Sequence, residues 1–563
     1  MLASILAATL VSATLADVSQ CVAEGGKTTP CRPGHQTCPP VMVYTAPQFH
    51  VRDASCGEND PNGPSYDPVH GMYHLHYQNH VGLHGGRTYG HAVSKDLIHW
   101  AHMPISVWND QPYDSRAIWT GSATIVNGSV VQVYPGLCDP NTAGCPGGTN
   151  LCIAVPEDAS DPLQTNWTKT AWFKGTNASN PIVRLLVIPS HPPNSHERPE
   201  SFPPHMMLLS HIRGVGRAWP QGCLQCSALG VFSHASHAFA HSLRSFRSPR
   251  AHSLRSLHSP PTRSLALLSP LALLSPPPPP PLPPPPPHIR QVPDTGRDPS
   301  TAWKTAGGEW QLTTFDTTIY GSLDFRTWYK VGTQDGFPHG ECPSFFELPA
   351  ATPGARAAPE GAPAYTHVHK ASHGGQDWMQ VGTYTSPTAP KTNGKWVGAT
   401  EVLIDAGALY ASKDFFDPVK KRRINWGWAR VPPSSTQTLP REVTWHPELQ
   451  QLVYSPLEEQ NALRGDVLGK ISAGTSIRGP QDILDGKHSK DAGRQAEIRV
   501  SFARPAAPSR LSVTVMGGAE FVVQYDGNTN TTAGAAGGKM SKLNLLDADT
   551  TIDMTLYVLE KGG

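Results

Sequence analysis

Met72-Tyr73-His74-Leu75-His76-Tyr77-Gln78 decides the fold class. Tyr73, Leu75 and Tyr77 fall on one side of an extended chain, and His74, His76 and Gln78 on the other. A second stretch, Gly121 to Val131, reads as a hairpin turning at Asn127-Gly128, a pair suited to positive φ. Between residues 40 and 183 no twelve-residue window shows a helical period. Short strands at regular spacing point to an all-β sandwich, barrel or propeller.

The chain has 563 residues, which suggests two domains. A net charge of +1 gives no reason to expect nucleic acid or an acidic polymer as partner. Residues 1–16 form an apolar run ending in small residues, expected to be a signal peptide cleaved after Ala16; the competing reading is a buried N-terminal helix. With that signal peptide the expected location is secreted, extracellular or vacuolar; no membrane-spanning segment is seen. Ten cysteines fit an oxidising compartment, and Cys138, Cys145 and Cys152 lie close enough for local bridges. Glycosylation sequons begin at Asn127, Asn166, Asn177 and Asn530.

Composition breaks sharply over residues 184–290, which are rich in Ser, Pro, His, Leu and Arg. His241-Ser242-Leu243-Arg244-Ser245 repeats at His252-Ser253-Leu254-Arg255-Ser256, and the stretch ends in proline tracts at 276–281 and 283–287. Such a run cannot join a sheet ladder. It reads either as a flexible insertion or, preferably, as a translated intron whose polypyrimidine tract yields Pro, Leu, Ser and Phe codons. Cys223 and Cys226 lie inside it and are read as coincidence. After residue 432, Ile498–Phe502, Leu511–Val515 and Phe521–Tyr525 read as strands of a sandwich, and residues 530–539 as a loop. The expected division is a catalytic domain over 40–431, interrupted by 184–290, and a C-terminal domain over 432–563 whose last strands are in question.

Three acidic residues stand in turn-rich contexts: Asn59-Asp60-Pro61-Asn62-Gly63, read as a tight turn opening the first hairpin, Gly296-Arg297-Asp298-Pro299, and Gly340-Glu341-Cys342-Pro343. Cleavage of a glycosidic bond with retention needs two carboxyl groups about 5–5.5 Å apart, one ionised and one protonated. Each motif alone is ordinary turn chemistry. In this order they resemble glycoside hydrolase family 32, the invertases and fructan hydrolases. Further blocks resemble that family: Tyr73–Gln78, Ser94–Trp100, Trp119–Thr124, Tyr410–Phe415 and Arg422–Trp428.

The resemblance implies a five-bladed β-propeller followed by a β-sandwich, with the active site at the propeller axis. It implies Asp60 as nucleophile, Glu341 as general acid/base and Asp298 as a transition-state stabiliser that binds fructose hydroxyls. Asn59, Gln78, Trp119, Ser122, Arg297 and Cys342 are the implied substrate-binding residues. No metal or organic cofactor is implied. The expected substrates are sucrose or fructans, and the expected reaction is release of terminal β-D-fructofuranosyl units. Transfer to another sugar, or non-catalytic fructan binding, are the alternatives. Departures from the family pattern are Gly57-Glu58, where Trp-Met is usual, and Gly296 and Gly340, where aromatics are usual. Ser372-His373-Gly374-Gly375 stands where plant invertases carry residues associated with sucrose.

Other features read more plainly. The histidines from His70 to His102 lack a carboxylate or cysteine at metal spacing. Trp426 and Trp428 are expected in the core, whereas Trp119 fits core or sugar platform equally. Asp547-Ala548-Asp549 reads as a solvated turn, and Lys420–Arg423 as a solvated basic face.

Overall fold

In the computed structural model Met72–Asn79 is a strand, and all eight of its residues are buried rather than every second one. The cause is packing on both faces. The structure describes residues 20–22, 28–30, 50–53, 58–83, 86–184, 296–407, 409–430, 435–477, 479, 482–484, 495–515, 519–527, 530–535 and 540–559. The expected signal peptide and residues 185–290 of the expected insertion lie outside them.

Five antiparallel sheets follow one another along the chain. The first blade is Glu58–Asp67, Met72–Asn79, Thr88–Ser94 and Trp100–Val107. The second centres on Ser122–Val126, Ser129–Leu137 and Thr149–Pro156. Its last pairing joins Val183–Arg184 to Thr149–Pro156, so Arg184 still belongs to the sheet. The third runs from Trp303 to Thr333 and the fourth from Glu341 to Leu403. The fifth starts at Leu409–Asp417 and continues through Arg441–His446 and Gln451–Pro456, past residue 431.

The apolar side chains pack between blades, and each seam has its own cluster. Leu151, Ile153 and Val133 of the second blade meet Leu312, Phe325 and Trp328 of the third. Phe345, Tyr384 and Trp396 of the fourth blade surround Ile319 of the third. Phe346 and Val368 meet Val443 and Trp445 of the fifth. Leu75 and Tyr77 of the first blade meet Ile424 and Trp426 of the fifth, which closes the ring. Burial of this kind is the main favourable term in folding, and it buries the middle strands Met72–Asn79 and Thr88–Ser94 along their whole length, whereas the outer strand Trp100–Val107 is partly exposed.

Turn chemistry repeats between blades. Ser94-Lys95-Asp96-Leu97 and Ser322-Leu323-Asp324-Phe325 each join a third strand to a fourth. Asp96 Oδ1 accepts the N–H groups of Ile98 and His99, and Asp324 Oδ1 those of Arg326 and Thr327. Leu97 and Phe325 both take positive φ, 64° and 60°. The sequence reading missed this repeat because only the Ser, the Asp and the Trp four residues after the Asp are shared. The Asn127-Gly128 turn is as expected, with φ of 51° and 84°.

Beyond the propeller, Ser509–Val515, Ala519–Tyr525, Asn530–Ala535 and Met540–Asn544 form one sheet, and Gln495–Ala503 pairs with Thr551–Leu559 in another. Residues 530–535 are therefore a strand, not part of a loop. Their threonines suit a ladder, and Thr531 is buried. Cys138 and Cys145 are bridged, whereas Cys152 is buried and free. The basic run is less solvated than expected: Arg422 is buried between Asp417 and Glu459, and Arg423 stacks on Phe346. Among the described residues no helix is long and apolar enough to cross a membrane.

Candidate active site

The first strand of a blade lies nearest the axis, and three such strands carry the same irregularity. The ladder register shifts between Glu58 and Pro61, between Glu341 and Ser344, and between Tyr410 and Lys413. A bulge frees residues from the ladder and re-aims their side chains. Asp60, Cys342 and Ala411 sit at these bulges. Asp60 therefore lies in a bulged strand, not in the tight turn expected. Cys342, Ala411 and also Asp298 hold positive φ of 53°, 54° and 57°. Such backbone strain in non-glycine residues clusters at functional sites.

The bulges bring the three acidic motifs together. The Cys342 N–H donates to Asp298 Oδ2 at 3.1 Å. Its thiol lies 3.7 Å from Asp60 Oδ2 and 4.0 Å from Asp298 Oδ2, so one S–H serves both carboxyls. Glu341, the preceding residue, accepts from Arg297 Nη2 at 2.9 Å and from the Tyr410 hydroxyl at 2.5 Å. Arg297 is held against Phe315 and Trp119, its guanidinium 4.2 and 5.5 Å from their ring centres. Trp119 thus supports the arginine. Gly340 is explained by space: a Cβ there would meet Ala371 Cβ at 2.8 Å and the Ser372 carbonyl at 2.9 Å.

Asp60 has its own anchors. The Thr120 hydroxyl donates to Asp60 Oδ2, and Gln78 Nε2 donates to Thr120 at 2.7 Å and to Asp60 at 3.5 Å. Asn59 Nδ2 donates to Gln78 Oε1 at 3.1 Å. Ser122 lies further back, its hydroxyl donating to the Pro299 carbonyl at 2.8 Å, which fixes the segment carrying Asp298. Sequence reasoning did not single out Thr120, Tyr410 or the two buried lysines behind the site. Lys413 donates to the Pro299 and Pro343 carbonyls, and Lys370 to the Cys342 and Ser412 carbonyls and to Ser372, beside Asp377 at 3.3 Å. Thr120, Tyr410 and Lys413 all stood within quoted sequence blocks, which was the signal available. Trp428, expected in the core, is partly exposed and lies 6.5 Å from the Tyr410 ring; Trp426 is buried.

The electrostatics follow from burial. Asp298 is 4% exposed, and its carboxyl is pushed up to about 7, chiefly by desolvation. Arg297, Lys413 and the Cys342 N–H pull the other way, and Glu341 adds to the rise. Asp60 is also raised, by burial first; Thr120 opposes this and Glu341 adds to it. Burial and the two aspartates keep the Cys342 thiol protonated. Burial and the charge of Glu341 thus favour the protonated form of Asp298. Asp60 and Asp298 both lean toward their protonated forms.

The histidines form a buried stack. His74 and His91 are joined by a 3.0 Å ring contact, and His76 lies parallel to His91 with ring centres 4.2 Å apart. Desolvation holds all three below the usual histidine range. Among the described residues no cluster of His, Cys, Asp or Glu could hold a metal ion.

Comparison with known proteins agrees with this architecture. Residues 50–181 and 280–456 match the glycosyl hydrolases family 32 N-terminal domain. The chain is 28% identical over 460 residues to the vacuolar acid beta-fructofuranosidase 4 of Arabidopsis thaliana, covering 75% of this chain and 51% of that protein. It is 25% identical over 508 residues to the fructan 6-exohydrolase of Triticum aestivum, covering 82% and 64%. The chain thus spans about half to two thirds of these relatives' lengths. In fold it resembles the fructan 1-exohydrolase IIa of Cichorium intybus, with a TM-score of 0.51, 19% identity, and coverage of 92% and 98%. It also resembles the exo-inulinase of Aspergillus awamori, with a TM-score of 0.52, 16% identity, and coverage of 92% and 90%. With the family domain matched over more than half its residues, this chain belongs to glycoside hydrolase family 32.

Proposed function

We propose that the chain releases terminal β-D-fructofuranosyl units from sucrose or fructans, with retention at the anomeric carbon. The carrying observation is the double contact of Cys342 with Asp60 and Asp298, with Glu341 next to it in the chain. Asp60 attacks the anomeric carbon while Glu341 gives its proton to the departing oxygen. A fructosyl ester on Asp60 results. Glu341 then takes a proton from water, which attacks the ester and frees fructose and the Asp60 carboxylate. Asp298 binds fructose hydroxyls, and Arg297 and Tyr410 orient Glu341. Asp60 and Asp298 are both raised by burial and by the charge of Glu341, so their ionised forms are disfavoured. An oxocarbenium-like transition state brings the positive charge that relieves them, so the site favours the transition state over the ground state.

The relatives include the vacuolar acid beta-fructofuranosidase 4 named above and an insoluble β-fructofuranosidase isoenzyme of the same plant, and the Cys138–Cys145 bridge suits an oxidising compartment, so secretion or vacuolar delivery is the matching location. The family match skips residues 182–279, which supports an insertion between blades two and three, and it resumes at residue 280, inside the expected 184–290 stretch. The fifth sheet and the family match both end at residue 456, so we place the end of the catalytic domain there.

The test is incubation of the full chain with sucrose, inulin and levan, with products identified. Free fructose is expected. Trisaccharide accumulating at high sucrose would instead assign transfer, and tight binding with no fructose released would assign a binding protein.

A further inference from the structure

The propeller ring closes between its fifth and first blades, where Thr436-Gln437 meets Val51. The Gln437 N–H and the Thr436 hydroxyl both donate to the Val51 carbonyl, each at 3.0 Å. The Gln437 side chain has a separate role. It is fully buried, and its Nε2 donates to the Asn59 carbonyl at 2.6 Å and to Glu58 Oε1 at 3.3 Å. Glu58 Oε2 accepts the Asp53 N–H at 2.7 Å. The two residues before Asp60 are therefore gripped from across the closing seam.

The grip falls where the sheet gives least support. In the first blade Glu58 pairs with Asn79 and the next pair is Pro61 with Tyr77, so Asn59 and Asp60 have no ladder partner of their own. An unpaired segment carrying a reactive carboxyl needs another constraint, because a displacement of about 1 Å can cost roughly 10²-fold in rate. The Gln437 amide supplies it on the backbone side, and the Asn59–Gln78–Thr120 relay supplies it on the carboxylate side.

We propose that Gln437 is a positioning residue for the reaction, holding Asn59 and hence the Asp60 carboxyl in place through the Asn59 carbonyl. This rests on the assignment of Asp60 as nucleophile. Gln437 is more than 370 positions from Asp60 in sequence, so the site is complete only when the ring is closed.

The test compares full-length wild type with Gln437→Met, which keeps the side-chain volume and removes the amide, and with Thr436→Val, which loosens the same closing strand without touching Asn59. Gln437→Met should lower kcat about 10²-fold with KM little changed, whereas Thr436→Val should lower the melting temperature and leave kcat alone. Gln437→Asn, milder on folding, should fall between wild type and Gln437→Met. Amide hydrogen exchange over residues 58–62 should speed up in Gln437→Met and Gln437→Asn but not in Thr436→Val. Unchanged kcat and exchange in the Gln437 variants, or losses that merely track melting temperature in all three, would overturn the proposal. If wild type releases no fructose, the functional reading fails by itself. The exchange rates then decide the grip: faster exchange in the Gln437 variants supports it and unchanged exchange refutes it.

Discussion

The Tyr410 hydroxyl donates to Glu341 Oε2 at 2.5 Å, tying the first strand of blade five to the first strand of blade four. The other carboxyl oxygen takes Arg297 at 2.9 Å. Glu341 is thus fixed from two directions while its side chain stays 35% exposed, open to a substrate.

Replacing Tyr410 by Phe removes one of these anchors and leaves the ring in place. A hydrogen bond to a charged group contributes about 1.5–3 kcal/mol, and 1.4 kcal/mol is a factor of ten. Tyr410→Phe is expected to lower kcat about tenfold or more with a nearly unchanged melting temperature, as steady-state kinetics and calorimetry would show. Equal kcat in the variant would mean that Arg297 alone orients Glu341.

Asp298 links stability to pH with a definite sign. Its folded value of about 7 lies above the ordinary aspartate value of 3.8, so the folded protein binds the proton more tightly than the unfolded chain. The stability it contributes is fully present below about pH 4 and is lost as pH rises through about 7. Asp298→Asn carries no such charge. The variant is expected to melt several degrees above wild type near pH 8, with the difference vanishing near pH 4, and to be severely impaired in catalysis. A melting difference independent of pH would remove the claim that burial strains this carboxyl.

Much of the fold was open to reading from the chain because its turns are chemically explicit. Asn127-Gly128 marks a hairpin by conformational need, and the three acidic motifs mark the site by order. What could not be read was spatial. His74 and His76 look like the polar side of a half-exposed strand, yet they are buried, because a neighbouring blade covers that face. Thr120, Tyr410 and Gln437 carry no local signature of function. Their contacts with the site are made to residues 60, 69 and 378 positions away. Two of the bulges lie directly before a proline, Pro61 and Pro343, a mark the sequence did carry, whereas the bulge at Ala411 has none.

The imidazole stack makes the opposite contribution to acid stability. His74 is lowered to about 4 by burial, and His76 and His91 are also lowered, chiefly by burial. Their stabilising neutral state is present above the ordinary histidine value of about 6.5 and is lost as pH falls toward 4. His76→Phe keeps a flat ring against His91 and cannot be protonated. Its melting temperature is expected to fall less than that of wild type between pH 6.5 and pH 4. A fall as steep in the variant as in wild type would show that His76 does not carry this pH dependence, whereas loss of the 3.1 Å bond from Gln132 Nε2 would lower its melting temperature equally at every pH.

The central claim is that Asp60 forms a covalent bond to the fructosyl unit while Glu341 handles the proton. Glu341→Gln should slow turnover by about 10²–10⁴-fold. With an activated fructoside whose leaving group needs no proton, the same variant should accumulate the intermediate. The most direct measurement is denaturing quench of that variant during turnover, followed by mass spectrometry of the peptide containing residues 58–67. One added fructosyl unit on Asp60, absent in a variant that also carries Asp60→Asn, is the expected result. An unmodified peptide while the label sits on Asp298 or elsewhere, or turnover that survives Asp60→Asn, would contradict the account.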